Sequence, residues 1–540
     1  MGSVVPRALA LYACPEPATS DLPLLPPPSP CRMTRRLLPL FLLVVMVLAS
    51  AMACNAPLPQ SGLARQATAV SVMQTIDAMA GPAAATPAPN ATDAPSPAPT
   101  RTPDWSSPGA MFEYETAAGD TLPAITRRFE VAAQQVVAGE SLPAAGYLPI
   151  AIDLRIANVL GPVSPGVPVL PDSEVVYSPA ALFDLDAFVR SAGGLLAGYD
   201  EEIAPGKRLS GTAIVQTVAQ ELSVNPRLLL GLIEYRSGWV YGVPADGQAD
   251  AYPLGFRIAG RRGLYQELMI AATQLNRGYY GWREGTLVET RFDDETTLRF
   301  HPELNPGSVA LMHLIAILRP RDRWMSSVYG EDSLPTLYAA LFGDPWARAQ
   351  AADPLLPPGL AQPTLELPFA AGERWSLTGG PHPAWNAGTP RGALDFSPII
   401  GGEPCAVPDR WVTAAAPGVI ARAKSNAVAL DLDGDGLEQT GWVIVYLHLA
   451  QAGLIASGTQ VEAGTPLGHP SCEGGVATGK HVHVARKFNG EWLAADGPVP
   501  FVLSGWRAVA DERNYYGALV RGAERVTSDS SGQQGSTIMR

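Results

Sequence analysis

Five of the seven histidines fall within residues 381–540, and four of them sit in contexts that could do chemistry. His481 and His483 lie in KHVHVAR. On a strand the period of 2 puts both imidazoles on one face, which positions i and i+2 of a helix would not share. Asp395 is an acidic residue inside the apolar segment ALDFSP, and a buried carboxylate needs a cation or donors to offset its desolvation. His382 closes the Gly-rich turn Leu377-Thr-Gly-Gly-Pro-His, and His448 interrupts the apolar strand WVIVYLHLA. Each has an ordinary reading as a hydrogen-bonded core or rim residue. Together they supply two histidines and one carboxylate for an open Zn²⁺ site, with two imidazoles to spare. Spacing leaves open which of His481 and His483 is a ligand. Three protein ligands leave a fourth position for water, whose pKa such a site brings to about 7, and amide hydrolysis is the natural outcome. His301, His313 and His469 have no convergent partners and read as structural or solvent-facing.

Two cysteines flank this cluster. Five Cys in the chain are too few for a disulfide scaffold, but Cys405 and Cys472 share the histidine-rich region. In an exported chain they are expected to pair, which stabilises by ~2–4 kcal/mol; the alternative is Cys472 as a metal ligand. Asp431-Leu-Asp433-Gly-Asp435-Gly436-Leu-Glu438 has the alternating carboxylates of a Ca²⁺ loop, but the twelfth position holds Trp442 and not Glu, so a polar Asp-Gly hairpin tip is expected.

The elements that must position these groups occupy one part of a multidomain chain. At 540 residues it has room for about three domains. Its 38 basic against 51 acidic residues give a net charge of −13, which argues against a nucleic-acid partner. The strongly apolar run Leu37–Leu48 follows Arg35-Arg36 and ends at Ala51-Met52-Ala53-Cys54. These are the parts of an export signal, too short to span a bilayer comfortably. Residues 1–32 fit no such pattern, so Met33 is read as the true start and 33–54 as the signal peptide. Cys54 after Ala53 resembles a bacterial lipobox, implying a diacylated thiol and a membrane anchor; plain cleavage and secretion is the alternative. Residues 55–110 are Ala/Pro/Thr/Ser-rich and read as a disordered tether.

Residues 111–180 begin with an alternating strand at Phe112, turn at Gly119-Asp120, continue into a helix of Ile125, Phe129, Ala132 and Val136, and return as a strand at Leu170–Tyr177. This resembles a LysM module, which implies binding of N-acetylglucosamine-containing glycan; a spacer that binds nothing is the alternative. Residues 181–345 read as helical, with Ser210 and Asn225-Pro226 as helix starts. SVNPRLLLGLIEYRSGW resembles the catalytic-helix region of lysozyme-like lytic transglycosylases. Arg236 stands where the acid is expected, and Glu234 is two positions off, onto another helix face. A domain that holds glycan without cutting it is expected, or an unrelated helical spacer. Residues 346–365 read as a Pro-rich linker, 366–510 as the domain carrying the cluster, and 511–540 as a C-terminal tail, polar and disordered after about Arg525.

The segments Gly379-Gly-Pro-His382, Leu394-Asp395-Phe396, Tyr446-Leu-His448 and Gly479-Lys-His481-Val-His483 resemble the LytM/lysostaphin-type zinc endopeptidases, closest to their beta-lytic and staphylolysin branch. The glycine-turned hairpins Val412–Ile420 and Ala456–Gly468 add to the likeness, which covers about a quarter of the chain. Arg391 occupies the place, four before the Asp, where commoner members carry their first His. The resemblance implies one Zn²⁺ per chain on His382, Asp395 and His483, with His448 and His481 flanking the reacting water as catalytic groups. It also implies an antiparallel β fold for this domain, behind the α-helical lysozyme-like domain and the small α+β LysM-like module. The expected protein is a monomeric, extracytoplasmic zinc metalloendopeptidase cutting peptidoglycan cross-links, its partners being peptidoglycan and, through Cys54, the membrane. A wall-binding lipoprotein that activates another hydrolase is the alternative; a biotinyl-type hairpin carrier is disfavoured by the lack of a Met-Lys-Met acceptor.

Overall fold

A computed structural model describes residues 110–244 and 250–540, all within one compact unit. The signal-peptide, Cys54 and tether expectations lie outside the described residues. Among those described, no helix is long and apolar enough to cross a membrane.

The first element group is a three-stranded antiparallel sheet, β1 (Met111–Glu115), β2 (Val136–Ala138) and β3 (Asp153–Ala157) in the order β1-β3-β2, with helix α1 (Leu122–Phe129) on it. Thr121 caps α1, its hydroxyl accepting from the Ala124 N–H, and Pro123 falls in the first turn where no amide is needed. The closing strand is therefore β3, and the expected return at Leu170–Tyr177 is corrected. Asp172–Glu174 is a 3₁₀ turn, whose Asp172 carboxylate accepts from Asn305 Nδ2 and the Gly307 N–H. The apolar residues there point into the helical core, not a ladder.

Helices dominate residues 185–349: α2 (Leu185–Ala192), α3 (Leu195–Gly198), α4 (Gly211–Leu222), α5 (Pro226–Ser237), α6 (Leu264–Arg283), α7 (Pro306–Leu318), α8 (Arg321–Tyr329), α9 (Leu334–Phe342) and α10 (Pro345–Ala349). Two hairpins interrupt them, β4 (Asp200–Ala204) with β5 (Lys207–Ser210) and β6 (Glu289–Arg291) with β7 (Thr297–Arg299). Ser210 caps α4 by accepting from Ala213 N–H, and Asn225 caps α5 by accepting from Arg227 N–H. α7 is apolar nearly all round and is accordingly buried from Pro306 to Ala316.

That burial has a measurable consequence at His313, whose Nδ1 meets Thr290 Oγ1 at 3.3 Å. Burial pushes its pKa down to about 4. The depressed pKa makes its contribution to stability complete above about 6.5 and progressively lost as pH falls towards about 4, since the unfolded chain then binds the extra proton. The full shift corresponds to ~3 kcal/mol. Urea unfolding of wild type and His313→Leu across this range is expected to show a shallower acid loss in the variant; parallel curves would refute it.

Residues 346–365 are not a free linker. Arg348 pairs with the buried Glu174 at 2.7 Å, and Leu355, Leu356 and Leu365 are buried. These leucines are isolated among prolines, which hides an anchored strap in composition.

The C-terminal region is built on a nine-stranded antiparallel sheet. Its strands are β8 (Arg374–His382), β9 (Ala393–Pro398), β11 (Gly418–Lys424), β12 (Ala427–Asp431), β13 (Trp442–Leu447), β14 (Gln460–Val461), β16 (Val482–Phe488), β17 (Glu491–Trp492) and β22 (Thr537–Met539). The order is β14-β11-β12-β13-β16-β9-β8-β22, with β17 paired to β16. A short pair, β10 (Val412–Thr413) with β15 (Pro466–Gly468), and a four-stranded sheet, β18 (Val502–Leu503), β19 (Trp506–Ala510), β20 (Gly517–Arg521) and β21 (Glu524–Thr527), complete it. Both faces of the central strands are covered, which is why they read as continuous apolar runs. Val428, Leu430, Ile444, Tyr446, Val482 and Val484 face the core within the β domain, while Ala429, Val443, Val445 and Ala485 join the core of the helical region. The expectation of disorder in the tail after about Arg525 is also corrected. Strands β20 to β22 are ordered, and β22 adds to the edge of β8 through Thr537↔Ser376 and Met539↔Arg374. Strand addition uses backbone groups, so a polar sequence suffices for it.

Candidate metal centre

Strands β8, β9 and β16 are neighbours, and their register places His483 opposite Asp395, Gly379 opposite Asp395 and His382 opposite Ala393. His382 lies at the end of a strand that continues through Gly379-Gly380, with its register shifting on both sides of Gly379, which corrects the expected turn. Gly379 is required by close approach: a Cβ there would collide with Asp395 Oδ2. The result is convergence of three buried donors. His382 Nε2 and His483 Nδ1 each lie 3.3 Å from Asp395 Oδ1 and 3.0 Å from one another. Asp395 Oδ1 is buried and makes no hydrogen bond, the signature of an oxygen whose partner is a cation. Two imidazoles and a carboxylate in this spacing fit a divalent ion that favours N and O ligands.

Backbone carbonyls fix each ring. His382 Nδ1–H donates to Gly380 O at 2.8 Å and His483 Nε2–H to Ala384 O at 2.9 Å, so the opposite nitrogens carry the lone pairs that face Asp395. His481 Nδ1–H donates to Gly479 O and His448 Nδ1–H to Glu473 O, both at 2.8 Å, leaving their Nε2 atoms free. His481 Nε2 stands 4.0 Å from Asp395 Oδ1, and the His448 and His481 rings are 4.5 Å apart. His448 lies just beyond β13, not within it, at φ +65, and this strained backbone turns its ring to the cluster.

The electrostatics follow from burial and neighbours. Burial raises the Asp395 pKa, but His382 and then His483 outweigh it and hold the carboxyl well below its usual range. For His382, burial is outweighed by the Asp395 charge and the net shift is upward. Burial lowers His483 and takes His448, helped by His481, down to about 4. His448 and His483 are thus neutral near pH 7.

Cys405 and Cys472 are joined at 2.06 Å. Asp431, Asp433 and Asp435 converge at the loop after β12, but both Asp431 oxygens accept backbone N–H groups of that loop, from Asp433 and Gly436. Glu438 turns away, to Arg422 and Lys487. His301 and His313 are buried upstream of the C-terminal sheet, and the His469 ring lies against Trp411, tilted by 38°. Glu234 accepts from the Val240 and Tyr241 amides (3.0 and 3.2 Å), and Arg236 Nε donates to Leu254 O.

Two contributors escape sequence reasoning. The Tyr515 ring stacks on His382, centroids 4.2 Å apart and 20° from parallel, at a backbone φ of +71. Arg391 donates to Pro381 O and Arg513 O, tying the His382 strand to the hairpin that carries Tyr515. Only a tyrosine and an arginine at long sequence separation mark them.

Residues 168–355 match a family model described as LasA, N-terminal domain. Over 296 residues the chain is 29% identical to Protease LasA of Pseudomonas aeruginosa, covering 51% of this chain and 65% of that protein, just under two thirds of its length. It is 31% identical over 159 residues to beta-lytic metalloendopeptidase of Achromobacter lyticus, covering 28% of this chain and 39% of the relative. Among solved structures, the M23 metalloprotease pseudoalterin from the deep sea is 29% identical, covering 31% of this chain and 96% of its own, with a TM-score of 0.27. By these relatives and the segments around His382, Asp395, His448 and His483, the C-terminal part of the chain is similar to peptidases of the LytM/lysostaphin type, on their beta-lytic side.

Proposed function

We propose that this chain is a zinc-dependent endopeptidase hydrolysing amide bonds in peptidoglycan cross-links, exported and held at the membrane through Cys54. The observation that carries the reading is the convergence of His382 Nε2, His483 Nδ1 and an Asp395 Oδ1 that makes no hydrogen bond. A zinc ion bound there would polarise the scissile carbonyl and acidify a water. The protein's own groups do the rest. Asp395 remains a carboxylate throughout the working pH range, and His483 offers a neutral lone pair. His448 is neutral with Nδ1–H committed to Glu473 O, so its Nε2 can take a proton. His481, the most exposed of the four rings at 16%, is placed to hydrogen-bond the substrate oxygen and pass a proton to the leaving amine. Tyr515 covers the open face of His382.

The upstream regions are read as wall-binding. The α1–β3 module is offered as the glycan contact. The helical domain holds rather than cuts, because Glu234 caps the Val240–Tyr241 loop instead of facing a cleft as a free acid.

The test is digestion of purified peptidoglycan by the full chain, with new amino termini identified by mass spectrometry. One zinc per chain, loss of cleavage with 1,10-phenanthroline and recovery with added Zn²⁺ are expected. A zinc-loaded chain that releases no amino groups, yet accelerates a second hydrolase, would replace this reading with the activator alternative.

A further inference from the structure

The two histidines that do not converge on Asp395 Oδ1 as close donors come from different segments, yet one buried residue touches the backbone of both. Ser471 is 1% exposed. Its N–H and its hydroxyl both donate to His448 O, at 2.7 and 2.9 Å. Its carbonyl accepts from His481 N–H at 3.3 Å, forming an isolated bridge. Its Oγ also accepts from Glu473 N–H at 3.0 Å, and Glu473 O is the atom that fixes the His448 ring.

The segment holding Ser471 is itself anchored on several sides. Cys472 is bonded to Cys405, and Lys480 N–H donates to Pro404 O at 2.7 Å. The Glu473 carboxylate accepts from Asn426 Nδ2 at 2.7 Å and from Gln451 N–H at 3.0 Å. Hydroxyl, carbonyl and amide of one serine thus set the separation of the two rings and the tautomer of one. Such bracing favours the left-handed backbone that His448 holds, a conformation uncommon for a non-glycine residue.

We propose that Ser471 is a positioning residue for the His448–His481 pair, acting through the Glu473 carbonyl and the His448 backbone and having no part in metal binding. This rests on the hydrolytic reading above. A hydroxyl that only filled space could be lost without moving either ring; one that sets a proton-transferring group costs turnover, because a displacement of ~1 Å is worth up to about 10²-fold.

The experiment uses the full chain loaded with zinc alone. Ser471→Ala is expected to keep one zinc per chain with unchanged affinity, to lose kcat by ~10- to 100-fold, and to hold KM within about twofold. In two-bond ¹H–¹⁵N spectra of histidine-labelled protein, the His448 signal is expected to leave the Nδ1–H tautomer pattern, a readout independent of cleavage. Ser471→Thr, which keeps the hydroxyl, is expected to restore both the spectrum and most of the turnover. Wild-type kcat and an unshifted His448 signal in Ser471→Ala overturn the proposal, as does zinc loss in that variant. Should Ser471→Ala fail to fold, Asn426→Ala removes a donor to the Glu473 carboxylate, loosening the residue whose backbone carbonyl holds the His448 ring, and is read by the same criteria. A wild-type chain that binds zinc and cuts nothing sinks the hydrolytic reading instead, and the spectra still report on Ser471.

Discussion

His483→Ala is expected to lose both zinc and cleavage, whereas His481→Ala is expected to keep a full equivalent of zinc and lose turnover by ~10²- to 10⁴-fold. The two residues are two positions apart on adjoining backbone, so position in sequence does not separate them. Geometry does. His483 is paired in register with Asp395, its Nδ1 lies 3.3 Å from Oδ1 and 3.0 Å from His382 Nε2, and its other nitrogen is tied to Ala384 O. Removing it takes away one of three converging donors, a larger loss than the ~10–100-fold in affinity that follows removal of an outer partner. His481 precedes β16, its Nε2 is 4.0 Å from Oδ1, and its neighbour is the His448 ring. Zinc content by plasma emission and cleavage of peptidoglycan, measured on the same preparations, decide the matter. Equal zinc loss in both variants would show that the roles are wrongly divided.

Several groups of the candidate site were legible because they violate the pattern of their surroundings. A carboxylate in ALDFSP and an imidazole in WVIVYLHLA cannot be explained by apolar packing, and alternate histidines on a strand share a face. Residues that serve the site through contacts at long sequence separation left no such mark. Arg391 reaches Arg513 across 122 positions, Tyr515 stacks on a ring 133 positions earlier, and Ser471 is an ordinary serine until it meets His448 and His481. The LysM-like region was readable through its first strand and the start of its helix, but that helix ends at Phe129 and Val136 lies in β2, and the closing strand was sought in the apolar Leu170–Tyr177, where burial into a different core had produced the same pattern. The ordered tail was missed for a related reason. β22 is held by backbone pairing to an open edge, and composition carries no information about an edge elsewhere in the fold.

Glu491→Ala is expected to destabilise the protein by ~3 kcal/mol, the lower end for breaking a buried ion pair. Glu491 lies on β17, and its side chain, 2% exposed, accepts from Arg283 Nη2 at 2.6 Å and from the Tyr279 hydroxyl, both on α6. Arg283 also meets Asp172 at 3.0 Å and donates to Ala118 O, so one guanidinium ties the first module, the 3₁₀ turn and the sheet together. Two nearby groups reinforce the contact: Tyr280 Oη accepts from Trp492 N–H, and Ser223 Oγ donates to Gly490 O. Losing the Glu491 carboxylate leaves Arg283 with Asp172, which limits the cost. Losing the guanidinium is worse, since Asp172 and Glu491 would face each other beside Asp353, whose pKa burial and then Asp172 already push up to about 7. Arg283→Ala is therefore expected to exceed Glu491→Ala, and Glu491→Gln, which still accepts from both partners, to cost ~1 kcal/mol. Hydrogen exchange should quicken in Leu264–Arg283 and at Glu491–Trp492 in proportion, while zinc content stays at the wild-type level, because His483 sits towards the other end of β16 from the Lys487–Trp492 pairing. If Glu491→Ala unfolds like wild type, the network is spectator geometry, and the attachment of the helical domain must rest on the shared apolar face of Ala429, Val443, Val445 and Ala485.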